Sequence, residues 1–145
     1  MNALWNFLYS LFFLGLMAYA YVWLLGENLL VLDIPLLHLA LLSLATFRLI
    51  RLFSYDHITD YLRSGLSRFG KGTFLGTAGQ LLGCPWCTGV WFAFLAYVAY
   101  AVVPTIVIPL ALILSISALA SFLQLLANLI GWSAEEKKQR VNGSN

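Results

Sequence analysis

The sequence predicts an all-α integral membrane protein: a four-helix bundle of two helical hairpins, joined by a short cytoplasmic interfacial helix. Three observations predict it. Of 145 residues, 61% are hydrophobic and only 10% are charged, with a mean hydropathy of +0.86. A soluble domain carries roughly 25% charged residues, so this chain cannot cover a water-facing surface and must use lipid as solvent. Four stretches reach the ~20 apolar residues that a spanning helix needs. Finally, four spans place all eight Lys and Arg residues on one side. A net charge of +2, locally placed and without any recognition motif, argues against a nucleic-acid partner. The organisation read from this is one transmembrane domain over residues 1–132 and a polar cytoplasmic tail over 133–145.

The first span, residues 3–25, is uninterrupted by charge and closes at Gly26-Glu27-Asn28. Ala18-Tyr19-Ala20 loosely resembles a signal cleavage site. The run lacks a basic leader, is too long, and continues through Tyr21-Val22-Trp23-Leu24-Leu25, so it reads as a retained helix. The second span, 34–53, follows Asp33 and places Pro35 in a first turn, where a missing N–H is tolerated. His38 sits near its outer end and reads as a hydrogen-bonded packing residue. Arg48 and Arg51 fall within its last turns, where an ionised side chain must snorkel or find a partner; Asp56 is the nearby one.

Residues 54–84 form the middle loop. Ile58, Tyr61, Leu62, Leu66 and Phe69 recur at helical spacing, with Asp60, Arg63, Ser67 and Lys71 toward the other side. This predicts a short helix in the inner interface, its basic face toward anionic lipid headgroups. Residues 70–83 hold five glycines and are expected to be irregular. They do not form a phosphate loop, because no Gly-Lys-Ser/Thr follows. The third span, 85–103, begins at the cysteine motif and stops at Pro104. The fourth, 105–131, carries Ser117, Ser121, Gln124 and Asn128 on one stripe. Such a stripe is either a helix-packing seam or a polar pocket open to the cytosol.

The basic residues Arg48, Arg51, Arg63, Arg68, Lys71, Lys137, Lys138 and Arg140 all fall at the inner end of the second span, in the middle loop or in the tail, while the opposite side has only Glu27 and Asp33. Lys and Arg in short loops are retained in the cytoplasm, so both termini and the middle loop are expected to be cytoplasmic, in a bacterial inner membrane. Cys84 and Cys87, the two cysteines of the chain, therefore face a reducing compartment, where a permanent disulfide is not expected.

Cys84-Pro85-Trp86-Cys87 admits three readings. The simplest is a compact turn into the membrane, with Trp86 and Trp91 as interfacial anchors. A second is thiol–disulfide exchange: a helix N-terminus and the nearby Arg48 or Arg51 favour a thiolate. Cys-Pro-X-Cys resembles the motif of thioredoxin-like and disulfide-forming proteins, yet the chain has no βαβ pattern and no second cysteine pair. A third is metal. Zinc wants four ligands, and Cys84 and Cys87 would need His57 and Asp56, or a second chain's pair across a metal-clamped dimer.

Taken together, Arg48-Leu49-Ile50-Arg51-Leu52, Tyr55-Asp56-His57-Ile58-Thr59 with Arg63, Leu82-Gly83-Cys84-Pro85-Trp86-Cys87-Thr88-Gly89-Val90-Trp91 and Ser121-Phe122-Leu123-Gln124-Leu125 carry a resemblance. The chain resembles, over roughly residues 40–130, the small bacterial and phage membrane proteins grouped as domain of unknown function 1360, some of which are labelled sporulation proteins. Tyr61 departs from the proline expected there. The resemblance implies Arg48, Arg51, Asp56, Arg63, Cys84, Cys87 and Trp91 as site positions and supplies no activity. The functional expectation is a small non-enzymatic membrane scaffold or regulatory protein, acting with a homodimer mate or another membrane protein and needing no cofactor. The alternatives are the cytoplasmic-face oxidoreductase and the metal-clamped dimer.

Overall fold

The computed structural model of the chain describes residues 2–68 and 73–142, apart from the side chains of residues 2, 3, 58, 62, 63, 67 and 136–142. Among the described residues six α-helices follow one another: α1 (Asn2–Gly26), α2 (Leu36–Ser54), α3 (Asp60–Ser67), α4 (Phe74–Gly83), α5 (Pro85–Val102) and α6 (Pro104–Asn142), with a 3₁₀ turn at His57–Thr59 before α3. Among the described residues there is no strand. Helices α1, α2, α5 and α6 are each long and apolar enough to cross a membrane. Their surfaces agree with that solvent. Phe7, Phe12, Leu14, Tyr19 and Val22 of α1 are all more than half exposed, a density of uncovered apolar area that water does not tolerate.

Each helix end has a local cause. Asn28 adopts a left-handed conformation, φ 56°. The Leu29 N–H then donates to the Leu24 carbonyl (2.9 Å) and the Asn28 N–H to the Leu25 carbonyl (3.2 Å). This is the Schellman closure, which satisfies carbonyls left over at a helix end. Pro85 opens α5 at a position where its missing N–H costs nothing. A single residue, Val103, separates α5 from α6.

Helix α2 is the centre of the bundle and packs on both α5 and α6, while α1 packs on α4 and α5. The core joins Leu42 and Ala45 of α2 to Tyr100 of α5 and Ala111 of α6. Along α6, Ala111, Ser115 and Ala118 are buried at spacings of four and three, and the Ser115 hydroxyl donates across the seam to the Leu41 carbonyl at 2.9 Å. Small residues let two backbones approach, which is how membrane helices gain packing contact. His38 hydrogen-bonds the Tyr100 hydroxyl at 2.9 Å in the same half of the bundle, the packing role expected of it.

Two expectations are corrected. Residues 74–83 are helical despite their glycines. Thr73 caps α4 by accepting from the Gly76 N–H at 3.1 Å, and hydroxyls from the neighbouring helices accommodate the carbonyls at its far end. Thr88 donates to the Leu81 carbonyl at 2.8 Å and Ser54 to the Leu82 carbonyl at 3.1 Å. The second correction concerns α6, which does not stop near residue 131 but continues to Asn142. The interfacial helix is present as α3, preceded by its 3₁₀ turn. The apolar face expected through Ile58, Leu62 and Phe69 and the polar face through Arg63, Ser67 and Lys71 fall outside the described side chains.

Candidate functional site

Most of the candidate site residues line two of the recesses toward the end of the bundle that carries the basic residues. The larger, about 590 Å³, lies between α1 and the α4–α5 corner and is lined by Asn6, Tyr9, Gln80, Cys84, Cys87 and Trp91 among others. Aromatic contacts build it. Trp91 meets Phe13 edge-on with centroids 4.7 Å apart, and Phe74 stacks on Tyr9 at 5.0 Å. The Tyr9 hydroxyl donates to the Phe74 carbonyl at 3.1 Å, tying α1 to the start of α4. Trp86 points away and is 86% exposed, the position of an interfacial anchor. Trp91 instead forms a wall of the recess. The two tryptophans, expected to act alike, therefore differ.

Both cysteines are free thiols, and both are partly buried. They occupy the N-cap and third residue of α5. The Cys87 backbone N–H, and secondarily the Cys87 thiol, hold the Cys84 thiol below its ordinary pKa. A thiolate so stabilised at a helix N-terminus is the nucleophilic form of the pair.

The smaller recess, about 430 Å³, lies between α2 and α6 and is lined by Arg48, Arg51, Asp56, Ser117, Ser121 and Gln124 with Ala120 and Leu125. Arg48 and Asp56 pair at 3.3 Å, partly exposed, as the sequence leads one to expect for a cation so far along a spanning helix. The Arg51 guanidinium stands 5.7 Å from the Tyr55 ring centroid, within cation–π range. Its Nε is buried without a hydrogen-bond partner among the described residues. Ser121 donates to the Ser117 carbonyl at 2.8 Å. Gln124 donates to the Asn128 side chain at 3.1 Å, on the exposed surface of α6.

The expected site residues thus divide. Cys84, Cys87 and Trp91 share the α1 recess; Arg48, Arg51, Asp56 and Gln124 share the α6 recess; Asn128 lies outside both. His57 hydrogen-bonds Asp60 at 2.6 Å on the surface, and the Arg63 side chain is outside the described residues. Among the described residues, no three His, Cys, Asp or Glu side chains gather closely enough to hold a metal ion. The stripe on α6 is also split. Its serines and Gln124 border the arginines, while the packing seam runs through Ala111, Ser115 and Ala118 instead. Sequence reasoning missed the α1 wall. Asn6 and Ser10, one helical turn apart with Tyr9 between them, were the available signal in an otherwise apolar helix.

Residues 66–127 match the family described as protein of unknown function (DUF1360). That range contains Cys84, Cys87, Trp91 and Gln124 and begins beyond Arg48, Arg51 and Asp56. Two proteins of Bacillus subtilis (strain 168) are similar to the chain. UPF0713 protein YngL is 33% identical over 95 residues, covering 58% of this chain and 73% of the relative. Sporulation protein YjcA is 37% identical over 108 residues, covering 63% of this chain and 92% of the relative. No solved structure matches.

Proposed function

The chain belongs to the DUF1360 family of proteins of unknown function, and we propose that it is a non-enzymatic scaffold or regulatory partner. It works in the bacterial inner membrane with both termini and the cysteine recess on the cytoplasmic side. One transmembrane domain over 1–132 supplies the anchor, and the polar tail over 133–145 supplies the contact surface. The observation that carries this reading is the length of α6. Its 39 residues extend roughly 58 Å, while the hydrocarbon layer needs only about 30 Å. From Phe122 to Glu135 every residue is exposed, and beyond Leu125, which still borders the recess with α2, the surface of α6 is available to a partner. A homodimer mate or another membrane protein is the proposed occupant, and anionic headgroups surround its base.

The name of the sporulation relative makes spore yield the first phenotype to score in a strain lacking the gene. Truncation after Trp132 is expected to insert normally and fail to restore function, whereas Cys84→Ser/Cys87→Ser restores it. The opposite pair of results sinks the scaffold reading.

The Cys84–Cys87 geometry supports one second reading, thiol–disulfide exchange. In it the Cys84 thiolate attacks a substrate disulfide, expelling one substrate sulfur as a thiolate and forming a mixed disulfide. Cys87, losing its proton to solvent, then attacks the Cys84 sulfur and releases the second substrate thiolate. The substrate gains two electrons and the pair becomes a disulfide, which a cytoplasmic dithiol reductant would reduce again. This reading requires the double serine variant to be inactive. A zinc-bridged dimer is the remaining alternative, and it requires stoichiometric zinc in the purified protein that the same variant loses.

A further inference from the structure

We propose that the recess between α2 and α6 is a binding site for a phosphate-bearing anion, held by Arg48 and Arg51. The proposal goes beyond the scaffold reading and does not depend on what the cysteines do.

Charge comes first. Two guanidinium groups face one carboxylate in this recess, Asp56, which lies 3.3 Å from Arg48. Among the described residues that line the recess, the excess is one positive charge, and an ionised group on a spanning helix needs a partner. Counting along α2 from Leu36, Arg48 and Arg51 stand roughly 18 and 22 Å from its start. Their long side chains therefore reach the headgroup layer at the basic end of the bundle.

Hydrogen bonding points the same way. The Arg51 Nε is buried and has no partner among the described residues, a costly state for a charged donor. The planar guanidinium is completed best by an acceptor with two oxygens spanning its donors, which is the geometry of phosphate. Ser117 and the second N–H of Gln124 offer neutral donors from α6, while Ser121 lines the recess with its hydroxyl given to the Ser117 carbonyl. Ala120 and Leu125 form the apolar part of its lining. A volume of about 430 Å³ admits a phosphate group with its attached glycerol. The phosphate can come from an inner-leaflet lipid such as phosphatidylglycerol or from a free phosphate ion.

The test uses the full-length protein, purified in detergent and titrated with phosphatidylglycerol or phosphatidylcholine, with bound lipid counted by native mass spectrometry. Preferential phosphatidylglycerol binding is expected. Arg48→Gln/Arg51→Gln should weaken it about tenfold or more, the loss of two charge-assisted hydrogen bonds. Asp56→Asn should tighten it, about threefold or more, by removing the opposing charge. Ser121→Leu, which fills the recess from α6 without altering charge, should weaken it. Arg68→Gln, an exposed position on the same end, should leave it unchanged. If the double arginine variant fails to fold, the Asp56 and Ser121 variants decide alone. Equal binding of both lipids, or loss in Arg68→Gln as large as in the double variant, overturns the proposal. Competition by inorganic phosphate at millimolar concentration assigns the site to the free ion, and its absence assigns it to the lipid headgroup. No binding of either probe overturns the site.

Discussion

At Cys84 one thiol is set apart from an ordinary cysteine by its position. It is the N-cap of α5, and the Cys87 backbone N–H, followed by the Cys87 thiol, holds its pKa below the ordinary value. Its lowered pKa means that the thiolate is present at lower pH than in an unperturbed thiol, so alkylation should rise and level off at lower pH. Iodoacetamide labelling of Cys87→Ala against pH, followed by mass spectrometry, measures this on Cys84 alone. Because the leading contribution is a backbone N–H that alanine retains, most of the depression should persist; an ordinary thiol profile would refute that origin. Asn28 is a second residue whose role is conformational. Its left-handed backbone is tolerated by asparagine and disfavoured for alanine, so Asn28→Ala should cost about 1 kcal/mol, read as lower thermal stability in detergent. Both sites were partly legible in the sequence. Cys-Pro-X-Cys announces a capped helix start, and Gly26-Glu27-Asn28 announces a stop. What the sequence could not supply was the division of neighbours, since Arg48 and Arg51 could have turned toward the cysteines or toward α6. That choice is made by the rotation of α2 about its axis, which its packing on α5 and α6 decides.

Among the elements, α4 and α6 are the ones that sequence reasoning described least well. Five glycines between residues 70 and 83 argue against a helix by propensity. The hydroxyls that oppose that tendency come from Ser54 and Thr88, which are distant from α4 or on the next helix. Tertiary context of this kind leaves no periodic signal. Thr88→Val should remove the 2.8 Å donor from the Leu81 carbonyl, which keeps the Cys84 N–H at 3.0 Å, and destabilise the α4–α5 corner by about 1 kcal/mol. Faster hydrogen exchange across residues 76–84 is the measurement. On α6, the four-residue stripe was legible, but its neighbour Ala111, Ser115 and Ala118 is the true seam with α2. Ala118 is 1% exposed. Ala118→Leu should therefore force α2 and α6 apart at a cost of about 1–3 kcal/mol, whereas Leu123→Ala, on the exposed face, should change thermal stability little. Equal effects of the two substitutions would contradict this packing.

At the scale of the whole molecule, the two ends of the bundle differ in chemistry. The core of Leu42, Ala45, Tyr100 and Ala111 lies toward the acidic end, while the basic end carries the cysteine and arginine recesses and the far end of α6. The four spans were legible because lipid imposes a length and a composition on each helix. The placement of α1 was not, because an almost wholly apolar helix carries no strong preference for one neighbour; Tyr9, Phe13 and Trp91 set it by aromatic contact. The proposed sidedness rests on charge, and it governs every functional reading of the basic end. Labelling Cys84 and Cys87 with a membrane-impermeant maleimide, in intact cells and again after permeabilisation, tests it directly. The expected result is protection in intact cells and labelling once the membrane is opened. Labelling in intact cells would place the cysteine recess outside and contradict the account.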